Sequence, residues 1–268
     1  PSTNDRAVFY LQYNGTVAFS HPAGTQELWI GSTTTHDSTV QFNLSGHTYV
    51  VNSNIWLGRR DTVGSSHRSG HLTVVNGTLR TNTWLQSDFQ STINVENGGI
   101  LNATSGYYSG QYGALNNTVS RLRIKSNGVA NFGVIDSDQG GGGQIEVTNG
   151  GVLNSGWASF ASNLSSYSGA ASGVLVDGSG SRWNSTGHIW LYGDSNPNVT
   201  SHLTVSNGGV VDTNSRIYTN SSGRINLSGG LIEANSMSLA AGTLNHTGGT
   251  LRIDKAGAAS GMIDAGRS

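Results

Sequence analysis

Short runs along this chain alternate apolar and polar residues with a period of two, and each run stops at a glycine-containing turn. Five runs align closely: Leu72–Gly77, Ile93–Gly99, Leu122–Gly128, Ile145–Gly151 and Leu203–Gly209, each reading apolar, polar, apolar, a short polar step and Asn-Gly. Looser copies begin at Val174, Ile225 and Leu244, and weaker ones lie near Phe42 and Tyr13. A period of two marks a strand with one face in a core. It puts Leu72, Val74 and Leu79 inside, then Ile93, Val95 and Leu101, Ile145, Val147 and Leu153, and Leu203, Val205 and Val211. The turn recurs about every 26 residues, the length of one coil of a solenoid.

Two more short strands fall in each unit. One follows the turn, as at Val152–Asn154, Val210–Asp212 and Leu231–Glu233; the other carries the segments Leu28–Gly31, Ile55–Gly58, Thr83–Gln86 and Ile189–Tyr192. Helical periodicity is nearly absent. Units that repeat one strand order cannot pair as hairpins without reversing direction, but they can stack in parallel at about 4.8 Å per layer. The expectation is an all-β, single-stranded parallel β-helix, or β-solenoid, of about ten coils with three short strands per coil. It is divided into a strand or cap segment (1–26), the solenoid (27–254) and a tail (255–268). The residue before the first glycine of each turn is then expected at one corner of successive coils: Asn76, Asn97, Asn127, Asn149, Asp177 and Asn207. Asn tolerates the left-handed conformation that such a corner needs, and stacked amides can hydrogen-bond along the axis.

Composition narrows the function. Glycine is 39 of 268 residues and proline 3, so the glycine serves tight turns and not a collagen-like or proline-rich disordered chain. Charged residues are 11 %, the net charge is −1 and the only lysines are Lys125 and Lys255, which removes the basic footprint of a nucleic-acid binder. No apolar run approaches the roughly 20 residues that cross a bilayer, so no membrane insertion is expected of this segment. With no cysteine there is no disulfide, thiolate metal site or cysteine nucleophile.

The motif apolar-x-Val-x-Asn-Gly-Gly-apolar-apolar, clearest at Ile93–Leu101, Ile145–Leu153 and Leu203–Val211, resembles the β-helical passenger repeats of bacterial autotransporters and related secreted surface proteins. That resemblance spans Leu28–Ile253. It implies a right-handed β-helix displayed outside a bacterial cell as an adhesin, stalk or matrix component.

Three kinds of residue could carry function. In Leu28-Trp29-Ile30, Ile55-Trp56-Leu57 and Ile189-Trp190-Leu191 strand parity turns the Trp away from the aliphatic pair. With Trp84, Tyr108, Trp157 and Tyr218 these rings are expected to form an aromatic stripe. It is covered by the chain's own loops, by another subunit, or by a glycan; the contact candidates are Trp29, Trp56, Trp84, Tyr108, Trp190 and Tyr218. The acids Asp136, Asp138 and Asp194 and the imidazoles His67 and His71 match no spaced calcium or zinc motif and read as loop residues, so neither metal nor cofactor is expected. The 4 Glu and 11 Asp are spread along the chain and assemble no obvious catalytic carboxylate pair.

The start, with Val8, Phe9, Tyr10 and Leu11, is strongly apolar and β-prone and could complete the sheet of a neighbouring molecule. The leading expectation is therefore a non-enzymatic extracellular or cell-surface structural protein that associates with itself into a fibre or layer, through its ends or the aromatic stripe. An adhesin that binds glycans, and a carbohydrate-acting β-helix enzyme, are the alternatives.

Overall fold

A computed structural model describes residues 5–9, 13–31, 37–58, 69–88, 90–109, 119–137, 142–160, 171–192, 200–253 and 263–264. Three strands recur in fixed order and define faces A, B and C. Arg6–Phe9 opens face A, Asn14–Ala18 face B and Ala23–Thr25 face C; the next strand, Glu27–Ile30, lies back on Arg6–Phe9 in parallel. This sequence continues, and every pairing is parallel, so the chain is an all-β parallel β-solenoid. Among the described residues face A is one eleven-stranded sheet. Faces B and C join into an eighteen-stranded sheet because Gly223–Ala234 and Thr243–Ile253 run through both.

All twelve positions that the alternation turns inward are buried. They stack like on like: Val40, Leu72, Ile93, Leu122, Ile145, Val174, Leu203 and Ile225 are successive partners along one column of face B. Burying one such side chain is worth about 1.5–3 kcal/mol. Because each contacts its copies above and below, that stabilisation belongs to the interfaces between coils. Trp183 enters the matching column of face C, fully buried, with its indole N–H donating to Ser155 Oγ at 3.0 Å.

The corner between faces B and C explains the Asn-Gly-Gly motif. At Glu96–Gly99 the Gly99 N–H donates to the Glu96 carbonyl at 2.9 Å, and the central residues Asn97 and Gly98 have φ of 51° and 74°. Two positive φ values in a row make a type I′ turn, whose first place Asn tolerates and whose second favours Gly. The second glycine has another cause. In the turn Thr148–Gly151, a Cβ on Gly151 would strike the Ile124 carbonyl of the coil below, so the backbone needs a bare Cα there.

The expected Asn column is only partly present. Asn97, Asn149 and Asn207 hold the first turn position, with φ of 50–51°. Asn76 (φ 53°) does so in a corner one residue shorter, since Val74 pairs with Val95 while Gly77 already pairs with Gly99. Asn127 is shifted by one: the register of Leu122–Ile124 on Ile93–Val95 puts Ser126 at the first position (φ 50°) and Asn127 at the second (φ 61°). Asp177 is shifted the other way. It pairs with Ser206, ahead of the corner, and the positive φ passes to Gly178. Its carboxylate accepts from Asn207 Nδ2 at 2.7 Å, but no amide chain joins Asn97, Asn127 and Asn149.

Candidate functional site: an aromatic face and an amide groove

Strand parity places the tryptophans as expected. Leu28 and Ile30, Ile55 and Leu57, and Ile189 and Leu191 are buried in the core, which turns Trp29, Trp56 and Trp190 outward on face A. The continuous stripe is not formed, however. Read along the coils, that column runs Val8, Trp29, Trp56, Gln86, Tyr108, Asp136, Ser159, Trp190 and Tyr218. Gln86, Asp136 and Ser159 interrupt it, and Trp84 and Trp157 stand two residues before Gln86 and Ser159 along the chain, outside that column.

The rings therefore form separate groups with different surroundings. Trp29 and Trp56, with centroids 6.2 Å apart, are only 6 % and 9 % exposed. The Arg6 guanidinium lies 4.5 Å over the Trp29 ring and pairs with Glu27 at 2.8 Å, while Glu27 also accepts the Trp29 indole N–H at 3.1 Å. The chain thus covers Trp29 itself. Trp84 and Tyr108 meet edge to face at 6.1 Å. Further along, Trp190 stacks on Tyr218 at 6.1 Å with 20° between the planes, His188 meets both, and Trp157 packs against Trp190 at 5.7 Å. Trp157, 38 % accessible, is the exposed large hydrophobic among the described residues.

The other expected sites divide similarly. Val8 and Phe9 lie in Arg6–Phe9, paired to Glu27–Ile30, and Phe9 packs on Tyr13 and Phe42 at 5.1 and 5.9 Å. Tyr10 and Leu11, with Asp138, Asp194 and His67, lie outside the described residues. His71 is held below the ordinary imidazole range by burial, opposed by Asp37. Among the described residues no three His, Asp or Glu side chains come together to hold a metal. All four glutamates are spent joining one coil to the next, in the pairs Arg6–Glu27, Lys125–Glu96, Arg123–Glu146 and Arg252–Glu233, at 2.8–3.0 Å.

One site went unnoticed in the sequence. On the outer side of face C, Asn131 Nδ2 donates to Asn102 Oδ1 at 2.6 Å, Asn154 Nδ2 to Asn131 Oδ1 at 2.7 Å, and Asn184 Nδ2 to Asn154 Oδ1 at 2.7 Å. Asn184 Oδ1 accepts in turn from Arg182, whose Nη2 reaches Asp212 Oδ2 at 2.7 Å. A groove of about 600 Å³ runs beside this ladder, from Arg80 to Thr186, over Phe132, Gly133 and Gly156. The signal was a polar residue recurring three or four places after the turn glycines, at Asn102, Asn131, Asn154, Asn184, Asp212 and Glu233. It was masked by its position at the end of the second strand, where polar residues are ordinary.

Fold and surface together define a parallel β-solenoid protein with an aromatic outer face and an amide-lined groove. Compared with known proteins, the chain matches no family model, no curated protein and no solved structure. The chain's own β-solenoid fold is shown, and no family or homologue identifies its repeats as autotransporter passenger repeats.

Proposed function

We propose that this chain is a non-enzymatic structural β-solenoid, right-handed and of about ten coils, that works outside the cell or at its surface and stacks head to tail with copies of itself. The observation that carries this is the strand Thr243–Ile253. It has a parallel neighbour, Gly223–Ala234, on one side, and along its other side it is largely exposed. At the opposite end Asn14–Ala18 and Ala23–Thr25 likewise have one described neighbour each, beneath half-buried Val17, Phe19 and Ala23. Both ends are parallel edges of matching direction, so one molecule's first coil can continue another's last. A contact of that kind does not close on itself and propagates into a filament.

The use of every glutamate in coil-to-coil ion pairs supports a structural role, since those carboxylates serve the interfaces between layers. The extracellular setting is supported by the likeness of the Asn-Gly-Gly repeat to secreted passenger repeats. The Trp157–Trp190–Tyr218 group offers a second, lateral contact. Negative-stain microscopy and sedimentation of the full chain test the reading, with filaments or a ladder of oligomers expected. Val17→Lys, which puts a charge on the half-buried row of the first edge, should leave a folded, monomeric rod; unchanged assembly in that variant overturns end-to-end stacking.

A further inference from the structure

Building on the head-to-tail stacking proposed above, on which it depends, we infer that His246 gates that contact: neutral, it seats Val17 of the next copy's first coil, and protonated, it keeps the two ends apart. One inward column of face B opens with Val17 and Phe42 and carries only apolar residues through Val74, Val205 and Leu227. On the last strand, where that pattern calls for another aliphatic residue, stands His246, the strand partner of Leu227.

Strand parity puts Leu244 and His246 on the inward side of Thr243–Ile253, while Asn245 between them points out and donates from Nδ2 to Asn226 Oδ1 at 2.9 Å. At the open edge the two differ: Leu244 is half-buried against the core, and His246 is exposed. His246 Nε2 lies 3.2 Å from the Gly249 carbonyl. A carbonyl only accepts, so Nε2 carries the hydrogen of the neutral ring and Nδ1 is the atom left to take a proton.

A second copy that continues the register lays Gly15 over Leu244 and Val17 over His246, because Gly15 and Val17 head the same two columns. A slip by one residue would turn Thr16 inward instead. In the joint the imidazole lies between Leu227 and Val17, which offer Nδ1 no acceptor. A neutral ring tolerates such a column; an imidazolium there loses its water and gains no partner. Among the described residues, the charged groups on the two strands that carry and adjoin His246 are Arg224, Glu233 and Arg252, and none points inward. Arg224 is exposed, and Glu233 pairs with Arg252 at 3.0 Å on the outer side. Face A adds Asp264 on its last strand. Asn14–Ala18 of the incoming copy carries no charge, and His21 beyond it is exposed, its Nδ1 3.1 Å from Ser20 Oγ. An inward-pointing charge is also a device by which edge strands refuse a new neighbour.

The test is sedimentation of the full chain from about pH 8 to about pH 5.5, the span in which imidazole changes charge, with circular dichroism showing the strands intact throughout. The unaltered chain should form filaments at the upper end and need about a tenfold higher concentration for each pH unit on the acid side, the linkage of one excluded proton. His246→Leu should assemble alike at every pH, His246→Lys at none, and His21→Gln should behave as the unaltered chain. Equal assembly of the unaltered chain across the range, a pH dependence that survives in His246→Leu, assembly of His246→Lys, or loss of the pH dependence in His21→Gln overturns the gate and leaves head-to-tail stacking in place. Failure of both the unaltered chain and His246→Leu to assemble at any pH overturns stacking itself, and the gate with it.

Discussion

Trp29 and Trp190 occupy the same column of face A, each between two buried aliphatic residues, yet one is enclosed and the other lies in an open patch. In the first coils, Arg6 and Glu27 close over the indole of Trp29 with an ion pair, a hydrogen bond and a cation–ring contact. In the later coils the rings pack chiefly on one another, and Trp157 at the margin stays exposed. Strand parity decides which way a side chain points; the neighbours one coil away decide whether water reaches it. A ring that its own chain has covered is structural, and a ring left uncovered is available to a partner.

The sharpest way to break this contrast is to remove one ring from each group. Trp29→Ala should cost about 2–3 kcal/mol, close to the full transfer value of a buried side chain, whereas Trp157→Ala should stay within about 0.5 kcal/mol. Chemical denaturation measures both, and equal losses would mean that the two groups do not differ in burial. A smaller effect is expected of Arg6→Gln, which uncovers Trp29: about 1 kcal/mol from the cation–ring contact, with a red shift in tryptophan emission. In the later group the arginine, Arg216, lies 5.1 Å over Tyr218 and not over Trp157, so Arg216→Gln should leave Trp157 as exposed as before.

Acid distinguishes the two regions more gently. Burial lowers both His71 and His202, but Asp37 opposes the shift at His71 while Arg224 adds to it at His202. Each group takes up its proton more readily in the unfolded chain. The stability due to its neutral form is therefore present above the ordinary imidazole value of 6.5 and is lost as the pH falls through the lower folded value. Melting temperature should drop on acidification below about pH 6.5, and His202→Gln should remove more of that drop than His71→Gln. The opposite order would show that Asp37 and Arg224 do not set the difference.

The strands and the buried columns were legible because each rests on a local rule. The period of two at Ile93–Val95 or Leu203–Val205 announces one inward face whatever lies beside it. The turn at Glu96–Gly99 was legible for the same reason, since positive φ values demand Asn and Gly. Register was not. Asn127 and Asp177 look equivalent to Asn97 in a line of text, but the stacking of Leu122–Ile124 and of Val174–Asp177 on their neighbours moves each by one residue. The second turn glycine, at Gly151, was visible as a motif while its cause, the Ile124 carbonyl of the coil below, was not. The amide ladder was hidden because its members are 23 to 30 residues apart and meet only through register.

By itself, then, the order of residues determined a parallel stack of three-stranded coils with an aliphatic interior, because alternation and turn chemistry act within a few residues. Only the tertiary structure decided which outward rings are covered, where the asparagines join and where a groove opens. Those outcomes depend on contacts between successive coils, and the spacing of such contacts varies with every insertion between one turn and the next.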